Sequence, residues 1–190
     1  MDGSDVEVVA LVRRGDHDAF RILVERHSRA VFRVAFRHTG HEQDAEDVVQ
    51  ETFLRAYRQI GQFEARSSFA TWLYRIAFNC AHDLLRQRPK PGSRLSLDDE
   101  DEGKRVDVVD ASPSADPGQV LASNRLGQRL RQAMDELTSQ ERAAFVMRHY
   151  EGLSIDEIGQ ALDLGASAAK HSVFRAVRKL RAALAPCPQM

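Results

Sequence analysis

The sequence predicts an all-α protein with two helical domains joined by a flexible acidic linker. Apolar residues recur at i, i+3, i+4 and i+7 along most of the 190-residue chain, which is the spacing of helices that pack on a core. The sequence has no clear alternation of apolar and polar residues of the kind that indicates strands. Between the helical stretches, proline, glycine and acidic residues are too frequent for the chain to build a core. The predicted domains are residues 5–90 and 119–186, and the predicted linker is 91–118.

The composition is typical of a globular protein from a reducing compartment. Apolar residues make up 43% of the chain and charged residues 29%, which is enough to form cores of ordinary size. The two cysteines, Cys80 and Cys187, are too few and too far apart for a disulfide framework. No apolar run approaches the length of a membrane span, about 20 residues, and the acidic start MDGSDVE is no signal peptide. We therefore expect a cytoplasmic protein.

Three helices are predicted before residue 62. The spacing of Val6, Val9 and Ala10 predicts a short first helix. The second and third helices are indicated by apolar stripes and by residues that commonly cap or end helices. In chain order these boundary residues are Asp16 or Asp18, Gly40, Glu42 and Gly61.

The stretch SSFATWLYRIAFNCAHDLLRQR, residues 67–88, predicts a fourth helix with two different faces. Trp72 belongs to an apolar stripe at helical spacing, so it is expected to be a core residue. Tyr74, Phe78 and Asn79 lie off this stripe, beside several basic residues. Aromatic rings stack on unpaired bases and arginine neutralises phosphate, so one hypothesis is a surface for single-stranded nucleic acid. The alternative is that a second helix packs on this face.

Four more helices are predicted after the linker. Residues 120–137 carry an apolar stripe, and two capping boxes of the pattern Ser/Thr-x-x-Glu each open a further helix. A turn at Gly165 leads into a long basic helix that ends before Pro186. A short helix, a tight turn and a longer basic helix together form a helix-turn-helix signature. The capping boxes begin at Thr138 and Ser154.

The helix-turn-helix signature favours DNA binding over a protein interface. The second helix of such a unit fits the major groove, and its first turn faces the base edges. Residues 165–190 hold five basic side chains and no acidic one, although the formal net charge of the whole chain is −1. The residues expected to face the groove are Lys170, His171, Ser172 and Arg175, and those expected to meet phosphate are Arg178, Lys179 and Arg181.

Three motifs resemble those of one known family. DAEDVVQETFLRAYRQIGQF and FATWLYRIAFNCAHDLLR come first, and LTSQERAAFVMRHYEGLSIDEIGQALDLG follows after the linker. In this order they resemble regions 2 and 4 of the extracytoplasmic-function sigma factors, group 4 of the sigma-70 class, over residues 5–184. The resemblance implies an RNA polymerase sigma factor that directs core polymerase to promoters and assists their melting. The partners it implies are core RNA polymerase, promoter DNA and an anti-sigma factor, often a membrane-bound one.

The resemblance also implies roles for individual residues. One helix of region 2 docks on the polymerase, a loop and the next helix hold an extruded base of the −10 element, and the recognition helix of region 4 binds the −35 element. The positions implied for polymerase binding are Asp44, Asp47, Gln50, Glu51 and Phe53. For the −10 element the resemblance implies Phe63, Asn79 and the loop 64–68, which includes Arg66 and Ser67; the aromatic and basic face of the same helix adds Tyr74 and Arg75. For the −35 element the resemblance implies Lys170, Phe174 and Arg175; the helix-turn-helix signature adds His171, Arg178 and Lys179.

The recognition helix departs from the family pattern at its start. Family members usually read S-x-G-T-V-K-S-R across the turn, whereas this chain reads GASAAKHS. Lys170 and Arg175 match the pattern, but two alanines replace the usual Thr-Val pair. The domain assignment does not depend on these positions. The −35 sequence that the helix prefers is not predicted. The cap of this helix is either Gly165 or Ser167.

Two other classes of protein are weaker interpretations. A LuxR-type regulator also begins its DNA-binding domain with LTxxE, but it would need an upstream sensory domain that usually contains strands. An enzyme would need a phosphate-binding glycine-rich loop or a nucleophile set, and the sequence places neither. The pairs His38-x-x-His41 and Cys80-x-His82 lack a convincing second pair for zinc. We therefore expect no catalysis, no cofactor, no metal and no small-molecule substrate.

Overall fold

The computed structural model describes residues 4–87, 127–130 and 132–185, and every regular element within them is helical. The predicted all-α fold is thereby confirmed, and the predicted linker lies outside the described residues. The elements are α1 Asp5–Arg13, α2 Ala19–Thr39, α3 Glu42–Gln59, a 3-10 turn Ile60–Gln62, α4 Phe69–Gln87, α5 described over 127–130 and 132–135, α6 Ser139–His149, α7 Ile155–Leu162 and α8 Ala166–Leu184.

Helix α1 begins with a capping box in addition to its predicted apolar spacing. The backbone N of Ser4 donates to Glu7 Oε2 at 2.7 Å, and the backbone N of Glu7 donates to Ser4 Oγ at 3.4 Å. Val8 and Val12 form the buried face together with Val9. The spacing predicted the helix correctly, although Val6 is 52% exposed and lies outside the buried face.

Helices α2, α3 and α4 form the core of the N-terminal half. Their apolar stripes include Leu23, Val48 and Leu73, and none of these is more than 1% exposed. Both predicted start residues contribute to α2, because Asp18 occupies the cap position while Asp16 Oδ1 accepts the backbone N–H of Ala19 at 3.2 Å. One side of α4 is buried in this core, and α7 packs against another part of its surface.

Helices α6, α7 and α8 begin as the sequence predicted. Thr138 and Ser154 each cap a helix, with Glu141 and Glu157 completing the two capping boxes. Gly165 is the N-cap of α8 and has an extended backbone conformation, with φ of −66° and ψ of 152°. The left-handed turn between α7 and α8 lies instead at Asp163, with φ of 56°, a conformation that aspartate adopts more readily than most residues.

One continuous apolar cluster joins the N-terminal and C-terminal helices. Helix α4 packs against α7, and α2 packs against α6. His38 of α2 lies in this junction, only 4% exposed, with its ring edge-on to Phe78 at a centroid distance of 5.3 Å. Burial lowers the pKa of His38 to about 4, and the nearby charges of Arg142 and His82 act in the same direction. His38 is therefore neutral at physiological pH.

Two further features concern the described residues as a whole. None of their helices combines the length and the apolar character that crossing a membrane would require. No three or more His, Cys, Asp or Glu side chains among them come together as a potential metal site. Cys80 is a buried free thiol, and Cys187 lies outside the described ranges.

Candidate nucleic-acid and polymerase interfaces

A cleft of about 570 Å³ opens beside the N-terminal half of α4, a size within the usual range of small-ligand pockets. We refer to it as the α4 cleft. Its walls come from the loop after the 3-10 turn, from α4 and, at one edge, from Gln160 of α7. Of the six residues predicted for the −10 element, five line this cleft, namely Phe63, Arg66, Ser67, Arg75 and Asn79.

The loop that forms one wall of the α4 cleft has a constrained backbone. Ala65 has a φ of 55°, which residues other than glycine adopt rarely and at some cost in free energy. Phe63 is 3% exposed, and its ring packs against Phe69 and Trp72 at centroid distances of 5.4 and 5.5 Å. Phe63 therefore anchors the loop to the core and also forms part of the lining of the cleft.

The open side of the α4 cleft carries an amide and two guanidinium groups. Asn79 is exposed, Arg66 pairs with Glu64 at 2.7 Å, and Arg75 lies 3.9 Å from Asp163. Both ion pairs are largely exposed, so each contributes at most about 1 kcal/mol and can be exchanged for a phosphate. The amide of Asn79 can both donate and accept hydrogen bonds. Together these groups could hold a base edge and a sugar-phosphate backbone.

Tyr74 and Trp72 differ most from their predicted positions. Tyr74, predicted for the −10 element, is 5% exposed and donates its hydroxyl to Glu151 Oε2 at 3.1 Å. Burial and the carboxylate of Glu151 raise the pKa of Tyr74 well above its ordinary value. Trp72, predicted as a core residue, is partly exposed and lines the α4 cleft. Tyr74 is thus a contact between the two halves, and Trp72 provides the aromatic surface in the cleft.

The outer face of α3 is polar and acidic and includes the exposed apolar side chain of Leu54. Asp47 and Gln50 are exposed, and Leu54 is 46% exposed. Their spacing of i, i+3 and i+7 places all three on one side of the helix. Leu54 was not predicted as a contact residue, although its helical spacing from Asp47 and Gln50 was visible in the sequence.

The other residues predicted for polymerase binding are less accessible. Glu51 is partly exposed and accepts a hydrogen bond from Arg55 Nε at 2.6 Å. Asp44 and Phe53 are 6% and 7% exposed, so they hold α3 in its place rather than face a partner. A protein contact at α3 therefore depends on the exposed face and on the accessible edge of Glu51.

Helix α8 presents basic side chains and an exposed ring, with Phe174 64% exposed. Ser172 is only 1% exposed, so the prediction that it faces the groove is wrong. The reason is that Ser172 lies on the same helical stripe as Ala169 and Ala176, which are fully buried. The exposed residues among those predicted for the −35 element are Lys170, His171, Phe174, Arg175 and Arg178.

Glu141 connects α8 to the start of α6. Its buried carboxylate accepts from Lys179 Nζ at 2.7 Å and lies 3.6 Å from Arg175 Nε. Burial alone would raise the pKa of Glu141, but the bonds from Lys179 and Thr138 bring it below its ordinary value. Lys179, predicted to contact DNA, is thus engaged within the C-terminal half, whereas Arg175 is only loosely held.

Gly159 in α7 is required by the tight turn that follows it. A Cβ at this position would lie 2.8 Å from the carbonyl O of Leu164, which is closer than atoms normally approach. Gly159→Ala is therefore expected to destabilise the fold by about 1–3 kcal/mol, as measured by chemical denaturation. Gly61→Ala is the control, because a Cβ there meets nothing within 4 Å. Equal losses for both variants would contradict the close approach.

Comparison with known proteins establishes the family. Residues 23–90 match the model of Sigma-70 region 2, and residues 127–180 match that of Sigma-70, region 4. The chain is 32% identical to the RNA polymerase sigma-H factor of Pseudomonas aeruginosa, over 96% of this chain and 94% of that protein. The chain belongs to the extracytoplasmic-function sigma factors of the sigma-70 family. This sigma factor is also 32% identical to the factor SigW of Bacillus subtilis, over 90% of this chain and 91% of that protein.

Solved structures share the architecture of this sigma factor. It is similar to CnrH, solved in complex with the cytosolic domain of CnrY, with a TM-score of 0.67 and 27% identity over 96% of this chain and 97% of that chain. The sigma factor RpoE of Bartonella quintana, 20% identical with a TM-score of 0.66, has the same fold over 89% of this chain and 98% of that chain. Membership of the family makes the protein a transcription initiation factor that directs RNA polymerase to promoters. The alternative of a LuxR-type regulator is thereby set aside.

Proposed function

We propose that this sigma factor holds an unpaired base of the −10 element in the α4 cleft and binds the −35 element through α8. The observation that carries the proposal is that the cleft gathers Arg66, Arg75 and Asn79 beside the aromatic ring of Trp72. Extruding a base costs a few kcal/mol, which stacking and hydrogen bonds to the base edge must offset. The ring of Trp72 can stack on the base, and the amide of Asn79 can form hydrogen bonds to the base edge. The guanidinium groups of Arg66 and Arg75 can neutralise phosphate.

The exposed face of α8 supports a contact with the major groove. Lys170 and His171 lie in the first two turns of the helix, where base edges are closest. Phe174 can pack against a thymine methyl group, and Lys170 can hydrogen-bond to guanine. Arg178, one turn beyond Phe174, is placed to contact phosphate.

The outer face of α3 supports docking on core RNA polymerase. Asp47 and Gln50 lie on the same face of the helix as the exposed apolar side chain of Leu54. An apolar residue with a polar rim is the usual composition of a protein interface. The face lies on α3, a different helix from those that form the DNA-binding surfaces, so polymerase and promoter can be bound at once.

A protein that inhibits this sigma factor is the third partner that we propose. The similar protein CnrH was solved with the cytosolic domain of CnrY bound to it, which supports a regulatory protein partner here. We propose an anti-sigma factor, including one that is anchored in a membrane and contacts the sigma factor through its cytosolic part.

The proposal also covers the organisation and the setting of the protein. The region 2 domain would span residues 5–90 and the region 4 domain residues 119–186, joined by the linker 91–118. These bounds enclose the two family matches at 23–90 and 127–180. The protein would act in the cytoplasm, as an initiation factor with no catalysis, no cofactor and no small-molecule substrate of its own.

Asn79→Ala tests the base-binding role of the α4 cleft. The substitution is expected to lose about 1–3 kcal/mol of discrimination at one −10 position, because the amide contacts a base edge. The free energy of unfolding should change by no more than about 0.5 kcal/mol, since Asn79 is exposed. Open-complex formation on promoters varied base by base across the −10 element measures the effect.

Arg75→Ala is the matched control from the same cleft. Arginine neutralises phosphate, so its loss is expected to weaken binding to every promoter alike and to reduce the salt dependence. Asn79→Ala should leave the salt dependence unchanged. Equal losses on every promoter variant for Asn79→Ala would contradict the assignment of the cleft to a base.

A further inference from the structure

Arg13, the last residue of α1, lies outside every motif of the sequence but reaches the segment that enters the α4 cleft. Its Nε donates to the carbonyl O of Ile60 at 3.0 Å, and its Nη2 donates to the carbonyl O of Gly61 at 2.9 Å. Nη2 also donates to the carbonyl O of Phe63. One guanidinium group thus holds three carbonyl groups that lie 47, 48 and 50 positions further along the chain.

These carbonyl groups belong to the segment that leads into the loop, and that of Ile60 also accepts the backbone N–H of Phe63 at 3.3 Å. The last carbonyls of a helix lack partners within the helix and carry partial negative charge, so a cation stabilises them. Phe63 anchors the loop, and two residues later Ala65 holds the left-handed φ of 55°. A backbone in such a conformation persists only where its surroundings enforce it. Arg13 binds three carbonyl groups just before Ala65 and is not among the residues that line the α4 cleft.

We propose that Arg13 is a positioning residue for the −10 base, acting through the loop that forms the wall of the α4 cleft. The inference rests on the proposed function of that cleft. Arg13 acts without contacting DNA. It sets the position of the loop backbone and of Arg66 and Ser67, which are next to the base.

The test is base discrimination at the −10 element by Arg13→Ala and Arg13→Lys variants in the full-length protein with core polymerase. Misplacing a binding group by a fraction of an ångström commonly costs about tenfold or more, so Arg13→Ala should lose about tenfold in discrimination at one −10 position. Arg13→Lys should recover only part of it, because an ammonium group cannot reproduce the planar fork. Polymerase affinity and the salt dependence of promoter binding should not change.

Arg14→Ala is the matched control, because Arg14 is the exposed neighbour in the chain. If Arg13→Ala leaves discrimination unchanged while Asn79→Ala reduces it, the positioning role is wrong and the function of the cleft stands. If neither variant changes discrimination, the cleft is not a base site and both proposals are overturned. A loss of thermal stability with an equal loss at all −10 positions would show a purely structural role and also overturn the inference.

Discussion

Asp47→Lys combined with Gln50→Ala is expected to reduce the affinity for core RNA polymerase by about 30-fold or more. Both side chains are exposed on one face of α3, and central residues of a protein interface commonly contribute about 2 kcal/mol or more each when truncated. Reversing the charge at Asp47 adds repulsion if the partner surface is basic. Fluorescence anisotropy of the labelled sigma factor titrated with core polymerase measures the loss.

The fold should be unaffected by this double substitution, since neither side chain is buried, and a circular-dichroism spectrum checks this. Glu25→Lys makes the same change in charge on an exposed part of α2 and should leave the affinity unchanged. If the double variant binds core polymerase as tightly as the native protein, the face of α3 is only a solvated surface and the docking proposal is wrong.

The second large effect is the pH dependence of stability caused by His38. Its pKa is lowered from 6.5 to about 4 in the folded protein, so between these values the unfolded chain binds more protons than the folded one. Above pH 6.5, His38 does not reduce the free energy of unfolding. As the pH decreases from 6.5 toward 4, the free energy of unfolding falls. The full difference of about 2.5 pH units corresponds to about 3 kcal/mol.

His38→Phe keeps a ring of similar shape and removes the titration. The difference between the native and variant free energies of unfolding, measured in urea from pH 7.5 to 4, should change by about 3 kcal/mol over this range. Glu141 and Glu157, whose pKa values are lowered by their hydrogen bonds, contribute equally to the pH dependence of both proteins and so cancel in the difference. Parallel pH profiles for the two proteins would contradict the burial of a neutral His38.

The helices and their starts could be predicted because their signals are local. Thr138 with Glu141 and Ser154 with Glu157 are capping boxes within four consecutive residues, and the structure forms both. The turn between α7 and α8 was predicted at Gly165, but the left-handed position lies at Asp163. Glycine is the usual residue at such a position, and no local signal marked the aspartate that adopts it here.

The two faces of α4 show where sequence reasoning reached its limit. The stripe with Leu73 is the core, as predicted. On the opposite face, periodicity alone allows either a nucleic-acid surface or a second packed helix, and the family resemblance favours single-stranded promoter DNA. The structure packs α7 and Glu151 over Tyr74, while Arg75 and Asn79 remain exposed. Periodicity shows which residues share a face, but a contact between positions 77 residues apart depends on tertiary packing that no local pattern encodes.

The candidate site was predicted in part for the same reason. Arg75 and Asn79 are one turn apart on α4, so their common location follows from helical spacing. Arg13 could not be found, because its importance comes from three carbonyl groups on a distant segment. Backbone acceptors leave no mark in an amino-acid sequence.

Transcription in vitro with purified core RNA polymerase and genomic DNA, followed by sequencing of the transcript starts, tests the central claim most directly. We expect starts that require this sigma factor and that are preceded by shared −10 and −35 elements. If no start depends on the added factor, the chain does not direct promoter recognition and the functional account is contradicted.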